Sequence, residues 1–194
     1  MAIWQAALAL VALAQAAVAP DGPVAAPPLY VTHNQGLAIR VPRGLTYCPL
    51  PADWVGSDHG VTLYLAPPAR CGGAGYPSSD RDATPDTPAI DVYYEINTDD
   101  YVDHRKCRER VPFQLFGRPA RACKRKRDAW IEVEARADYR VGQEPHDLVL
   151  TLHTSPERYS ADLAAFRSFA KGVRACLPEW ADGRQQPCPS AQWF

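Results

Sequence analysis

The chain has 194 residues, 46% of them hydrophobic, and its 21 basic side chains nearly balance 22 acidic ones for a formal net charge of −1. That balance argues against a nucleic-acid binder and against a halophile-type acidic surface, and the length suits one domain with a real core. Six cysteines, an even number, point to disulfide staples.

Met1 to Ala19 contains no charged side chain and runs as an alanine-rich apolar stretch ending in Ala17-Val18-Ala19. Small residues at the last and third-last positions suit a signal peptidase, so residues 1–19 are expected to be a cleaved signal peptide. Pro20 is a poor residue after a cleavage point, which leaves cleavage behind Ala14-Gln15-Ala16 as the alternative. An uncleaved anchor would need roughly 20 strongly apolar residues, and this run is mostly alanine. No other stretch is apolar enough to span a membrane. The expected compartment is the periplasm or the exterior.

Residues 20–36 begin with Pro-Asp-Gly-Pro-Val-Ala-Ala-Pro-Pro, a lead-in that should run extended and solvated. Residues 37–176 read as a single α+β domain. Apolar residues alternate with polar ones at Leu37/Ile39/Val41, Val61/Leu63/Leu65, Ile90/Val92/Tyr94/Ile96, Ile131/Val133/Ala135 and Leu148/Leu150/Leu152. A period of two marks half-buried antiparallel strands. The expectation is an antiparallel sheet of about five to seven strands. A C-terminal helix should pack on it: Ser155 can cap it, Pro156 suits its first position, and Tyr159, Leu163, Phe166, Phe169, Ala170 and Val173 form one apolar stripe. Residues 177–194 form a Pro/Gln-rich tail.

The cysteines are Cys48, Cys71, Cys107, Cys123, Cys176 and Cys188. With no Cys-x-x-Cys and no tight Cys/His cluster, zinc is not expected. Spacing does not determine the connectivity. Pairing in chain order is the simplest reading: Cys48–Cys71, Cys107–Cys123 and Cys176–Cys188, the last pinning the tail. Each such loop closure is worth roughly 3 kcal/mol on the chain-entropy model.

Catalytic motifs are thin. Gly56-Ser57-Asp58-His59-Gly60 has suggestive residue types without nucleophile-elbow spacing. Cys71-Gly72-Gly73-Ala74-Gly75 lacks the Lys-Ser/Thr ending of a phosphate loop. The five histidines stand singly. His59 beside Asp58 and His146 beside Asp147 are conceivable acid–base pairs, but strand neighbours point to opposite faces.

Charge segregation is the sharpest feature. Residues 80–103 carry eight acids against Arg81 alone, and residues 104–127 carry ten bases against Glu109 alone. The basic stretch reads as a hairpin, Val111 to Phe116, a Gly117-Arg118-Pro119 turn, then Ala120 onward. Charge on both faces of 124–127 should make it an edge or a protruding ribbon, buried on neither side. Arg118, Arg121, Lys124, Arg125, Lys126 and Arg127 are its candidate binding residues. The competing readings are neutralisation by the acidic stretch and protection of a sheet edge. A second candidate is the polar sheet face that would carry Tyr64, Tyr93, Trp130, Glu132 and Arg136, as a ligand platform or simply as a solvated face.

The order of segments resembles the PsbP-like fold of photosystem oxygen-evolving accessory proteins and their bacterial relatives. The residues that carry it are Leu37-Ala38-Ile39-Arg40-Val41-Pro42-Arg43-Gly44, Gly117-Arg118-Pro119-Ala120 and Tyr159-Ser160-Ala161-Asp162-Leu163-Ala164-Ala165-Phe166. The resemblance implies an α/β sandwich used for accessory binding, and it carries over no site residues. The six cysteines, the missing early helix and the basic hairpin depart from it.

The expected function is thus an exported, non-catalytic binding or accessory protein. Its partner would be another envelope or secreted protein, or an anionic envelope component. No cofactor, metal or nucleic acid is expected. The alternative is a small secreted hydrolase using the loop residues Asp53, Asp58 and His59.

Overall fold

The computed structural model of the protein describes residues 22–32, 35–48, 60–68, 71, 87–93, 106–127, 129–179 and 181–189, without the side chains of Tyr93 and Arg127. The expected signal peptide, Asp53, Asp58, His59, the glycines after Cys71 and the acidic stretch 80–103 apart from 87–93 lie outside the described residues.

One long hairpin organises the molecule. β11 (Trp130–Val141) and β12 (Glu144–Thr154) pair antiparallel from Ile131 opposite Thr154 to Val141 opposite Glu144. Gly142, at φ +60°, opens the two-residue turn between them, as a type II′ turn requires of its first central position. The pair is longer than the pattern at 131–136 and 148–153 announces, because Tyr139 and Val141 keep the inward alternation going and remain buried.

The sheet grows outward from this hairpin on both sides. β6 (Ala89–Tyr93) pairs with β12, and β5 (Gly60–Tyr64), β4 (Thr46–Tyr47) and β1 (Val24–Ala25) follow. Beyond β11 come β10 (Arg121–Arg127) and β7 (Glu109–Arg110), giving an eight-stranded antiparallel sheet. A second sheet of three strands places β3 (Leu37–Arg40) between β2 (Leu29–Thr32) and β13 (Val173–Ala175). β8 (Gln114–Leu115) and β9 (Arg118–Pro119) form a small hairpin of their own. The main sheet exceeds the expected five to seven strands because β1, β4 and β7 are two residues each, too short to show a period. The proline-rich lead-in is extended as expected but paired rather than solvated, since it supplies β1 and β2.

The single helix among the described residues, α1 (Tyr159–Ala170), buries Leu163, Phe166, Phe169 and Ala170. The Phe166 ring lies 4.7 Å from that of Phe113. These side chains join Leu37 and Ile39 of the small sheet and Ile90, Val133, Leu148, Leu150 and Leu152 of the large one in one core. Each fully buried Leu, Ile or Phe contributes about 1.5–3 kcal/mol there. The helix starts later than the Ser155 cap suggests. Ser155 instead accepts a turn hydrogen bond from the Arg158 N–H at 3.2 Å. Buried Asp162 anchors the first turn: it accepts from the Thr154 hydroxyl at 2.5 Å and from the Arg158 guanidinium at 3.0 and 3.1 Å. The helix is not the last element, because β13 and the stapled tail follow it.

All three disulfides follow chain order, with Cα–Cα distances of 5.5 Å for Cys48–Cys71, 5.8 Å for Cys107–Cys123 and 4.7 Å for Cys176–Cys188. They fit an oxidising, extracytoplasmic compartment. Among the described residues no helix is long and apolar enough to cross a membrane.

Candidate functional site

The basic ribbon is largely spent on internal partners. β10 lies one strand in from the edge, with β7 covering Cys123 and Lys124. Cys123 is buried and Lys124 and Arg125 are half-buried, so the expectation of a ribbon exposed on both sides does not hold at these positions. Lys124 Nζ donates to Glu109 at 2.6 Å and lies 4.7 Å from the Tyr159 ring centroid. The hydrogen bond to Glu109 raises the Lys124 pKa, which keeps the ammonium charged. Arg121 pairs with Asp138 at 3.2 Å. Arg125 reaches both Glu132 and, at 3.5 Å, Glu134. Lys126 and Arg118 are exposed. The neutralising acids therefore come from β7 and β11 rather than from described residues of the acidic stretch.

The polar face of the main sheet holds a cluster that is dry rather than solvated. Strand alternation puts Glu132 and Glu134 on the face opposite Ile131 and Val133. Register brings His153, Thr151 and Asp91 beside them. Asp91, Glu132 and Glu134 are 8%, 2% and 3% exposed, and a buried carboxylate survives only with partners. His153 Nε2 is 3.0 Å from Asp91 and its Nδ1 is 3.9 Å from Glu132. The Thr62 hydroxyl donates to Asp91 at 2.7 Å. Tyr64 lies on the same face, its pKa raised by burial and by the Asp91 charge. Trp130 and Arg136 share this face by alternation, Arg136 donating to Asp147. Tyr93 lies in β6. Among the described residues no group of three or more His, Cys, Asp or Glu is placed to hold a metal. The cluster is a charge-paired seam tying β5, β6, β12, β11 and β10 together.

A groove of about 1920 Å³ opens at the other end of the hairpin. Its walls are the β8–β9 tip, the turn end of β11–β12, the small sheet and the stapled tail. Arg40, Arg118, Arg140, Lys171 and Arg174 line it, and all five are exposed. Two of the three lining acids are paired, Asp138 with Arg121 and Asp147 with Arg136, and exposed Glu144 lies 4.0 Å from His146. Arg40, Arg118, Lys171 and Arg174 make no ion pair among the described residues. The groove therefore presents net positive charge.

Its floor is fixed by aromatic stacking and hydrogen bonds. Phe116 stacks on Tyr139 at 5.3 Å, and Tyr139 meets His146 at 5.4 Å. The buried Tyr139 hydroxyl donates to Gln35 O at 2.8 Å, and burial pushes its pKa well up. His146 Nδ1 lies 3.2 Å from Gln35 Oε1. His146 and Asp147 do point to opposite faces, as alternation requires. The tail closes one side: the Gly142 N–H donates to Gln185 Oε1 at 2.7 Å, and Gln185 Nε2 donates to Arg140 O.

The hairpin tip carries strain. Its turn residues are Phe116 and Gly117, at φ +52° and +71°, not Gly117 to Pro119. A two-residue turn with both φ values positive is type I′, which favours Asn-Gly, and Pro119 cannot adopt positive φ. A phenylalanine held there costs of order 1–3 kcal/mol.

No family model matches the chain, and no curated protein matches it. Of the groove residues, the ribbon reading had found Arg118 alone. Arg40, Arg140, Lys171 and Arg174 are spread over the chain and give no local signal, and the sequence places Phe116 at a strand end rather than in the turn it occupies.

Proposed function

We propose that this is an exported, non-catalytic binding or accessory protein of the periplasm or exterior. It recognises an anionic partner, either another envelope or secreted protein or an anionic envelope component. The observation that carries this reading is the groove. Its volume is about twice the upper range of ordinary small-molecule pockets, and its four cations without ion-pair partners among the described residues face an open space in which Asp138 and Asp147 are already paired. Complementary charge of this kind steers and orients a partner. The disulfides and the export-like first residues support the compartment, and the PsbP-like resemblance supports accessory binding by analogy alone.

The test uses the processed, oxidised protein with two anionic probes, phosphatidylglycerol vesicles and polyglutamate. Wild type should bind at least one of them, more weakly as salt rises. The double variant Arg118→Glu/Arg174→Glu should lose that binding with an unchanged unfolding midpoint. Wild type that binds neither probe at low salt refutes the reading.

A further inference from the structure

We infer that Phe116 is a ligand anchor, and that the groove takes an extended acidic peptide segment with apolar side chains between its carboxylates. This rests on the anionic-partner reading above and narrows it to a peptide.

Three observations converge. Four of the five groove cations fall into two stations. On the small sheet, Arg174 lies opposite Ala38, and Arg40 is two residues along the same strand. Strand geometry puts such diagonal neighbours about 7–8 Å apart on one face, and Lys171 adjoins them. The second station, Arg118, is at the β8–β9 tip. Apolar lining residues sit beside the cations at both stations: Leu29 lies opposite Arg40 and Ala38 opposite Arg174, and Phe116 is in the turn next to Arg118. A uniformly charged polymer has no use for those apolar positions. A peptide alternating carboxylates with apolar side chains matches both, and arginine forks suit carboxylates in particular.

The third observation is the strained turn. Phe116 sits in the left-handed region at the groove wall, where asparagine or glycine would fit without strain. Strained residues of this kind cluster at ligand sites. Half-buried Phe116 leaves part of its ring for an occupant while its other side stacks on Tyr139.

The experiment compares two probes of equal charge, a soluble peptide with leucines interspersed among glutamates and a plain polyglutamate. Wild type should bind the leucine-bearing peptide at least tenfold more tightly. Phe116→Asn should abolish that preference while leaving the urea midpoint unchanged or higher, because asparagine suits the turn. If that variant does not fold, Phe116→Leu serves instead, and the preference should fall severalfold with the fold intact. Equal wild-type affinity for the two probes, or a preference that survives loss of the Phe116 ring, overturns the inference and leaves the anionic-partner reading standing. A lower midpoint in Phe116→Asn with the preference intact assigns Phe116 to packing and likewise overturns it. If neither peptide binds but phosphatidylglycerol vesicles do, the peptide inference alone falls. If no anionic probe binds, both fall.

Discussion

Replacing Arg125 by methionine tests whether the dry seam on the sheet is held by charge pairing. Arg125 bridges Glu132 and Glu134, whose side chains are 3% and 4% exposed, while its own is 30% exposed. Methionine keeps most of the apolar stem, so the change removes mainly the guanidinium. Removing one partner of a fully buried pair costs about 3–5 kcal/mol. Water reaches part of the Arg125 site and Glu132 retains His153, so the expected loss is smaller, roughly 2–3 kcal/mol. That is a large share of a typical domain stability of about 5–15 kcal/mol. Urea unfolding of the oxidised protein should show the loss as a lower midpoint at unchanged slope. A double-mutant cycle with Glu132→Gln should return a coupling of about 1 kcal/mol or more. A loss below about 0.5 kcal/mol, the size of an ordinary surface change, or strict additivity in the cycle, would mean that the seam is held by packing and that the pairing is incidental.

Asp162→Ala should cost about 2 kcal/mol in the same assay, because it strips the acceptor from the buried Thr154 hydroxyl and from Arg158; an unchanged midpoint would show that the first turn of α1 does not need it. Gly36→Ala should cost roughly 2–3 kcal/mol, since Gly36 has φ +56° and an added Cβ would lie 2.7 Å from Cys176 O and from a Val141 methyl; wild-type stability would rule out that close approach. Asp138 and Asp147 face each other across β11 and β12, and the hydrogen bond between them, with burial, raises the Asp138 pKa. A raised carboxylate pKa gives stability that is present below the unfolded value and lost as pH rises through the folded one. Burial pushes Asp147 up, but hydrogen bonds from Asp138 and Arg136 outweigh it and leave its pKa lowered, so its contribution is lost as pH falls. Asp138→Asn should therefore remove the loss of stability just above the usual carboxylate range and keep the acid-side loss; melting profiles of wild type and variant that run parallel across that range would contradict this.

Alternation and cysteine order carried most of the legible fold. Leu37/Ile39, Leu63, Ile90/Val92, Val133/Ala135 and Leu148/Leu150/Leu152 are all buried strand residues as their period indicates. The three bridges join nearest neighbours in sequence, the arrangement with the shortest loops to close. Short elements were not legible: a two-residue strand such as Val24–Ala25 leaves no period, and its pairing with Tyr47 and Thr46 is a long-range event. The start of α1 is not legible, because Ser155 and Pro156 suit a helix opening locally while the tertiary anchor at Asp162 lies a turn further on.

The basic stretch 104–127 shows why charge density along a chain is a poor guide to charge on a surface. An antiparallel register sets each residue against one from another part of the sequence, and here it sets Lys124 against Glu109, Arg125 against Glu132, and Cys123 against Glu134. Two cations in the middle of the densest run, Lys124 and Arg125, therefore have carboxylates laid directly across from them. The groove cations escape that fate for a geometric reason. Arg40 and Arg174 belong to a three-stranded sheet, where Arg40 lies opposite Leu29 and bonds to Gly172 and Arg174 lies opposite Ala38, none of which can neutralise them, and Lys171 caps the C-terminus of α1 beside that sheet. Like charges on neighbouring strands are destabilising when nothing answers them. Their persistence on that face, beside a tip that tolerates a strained phenylalanine, is what an anionic occupant would account for.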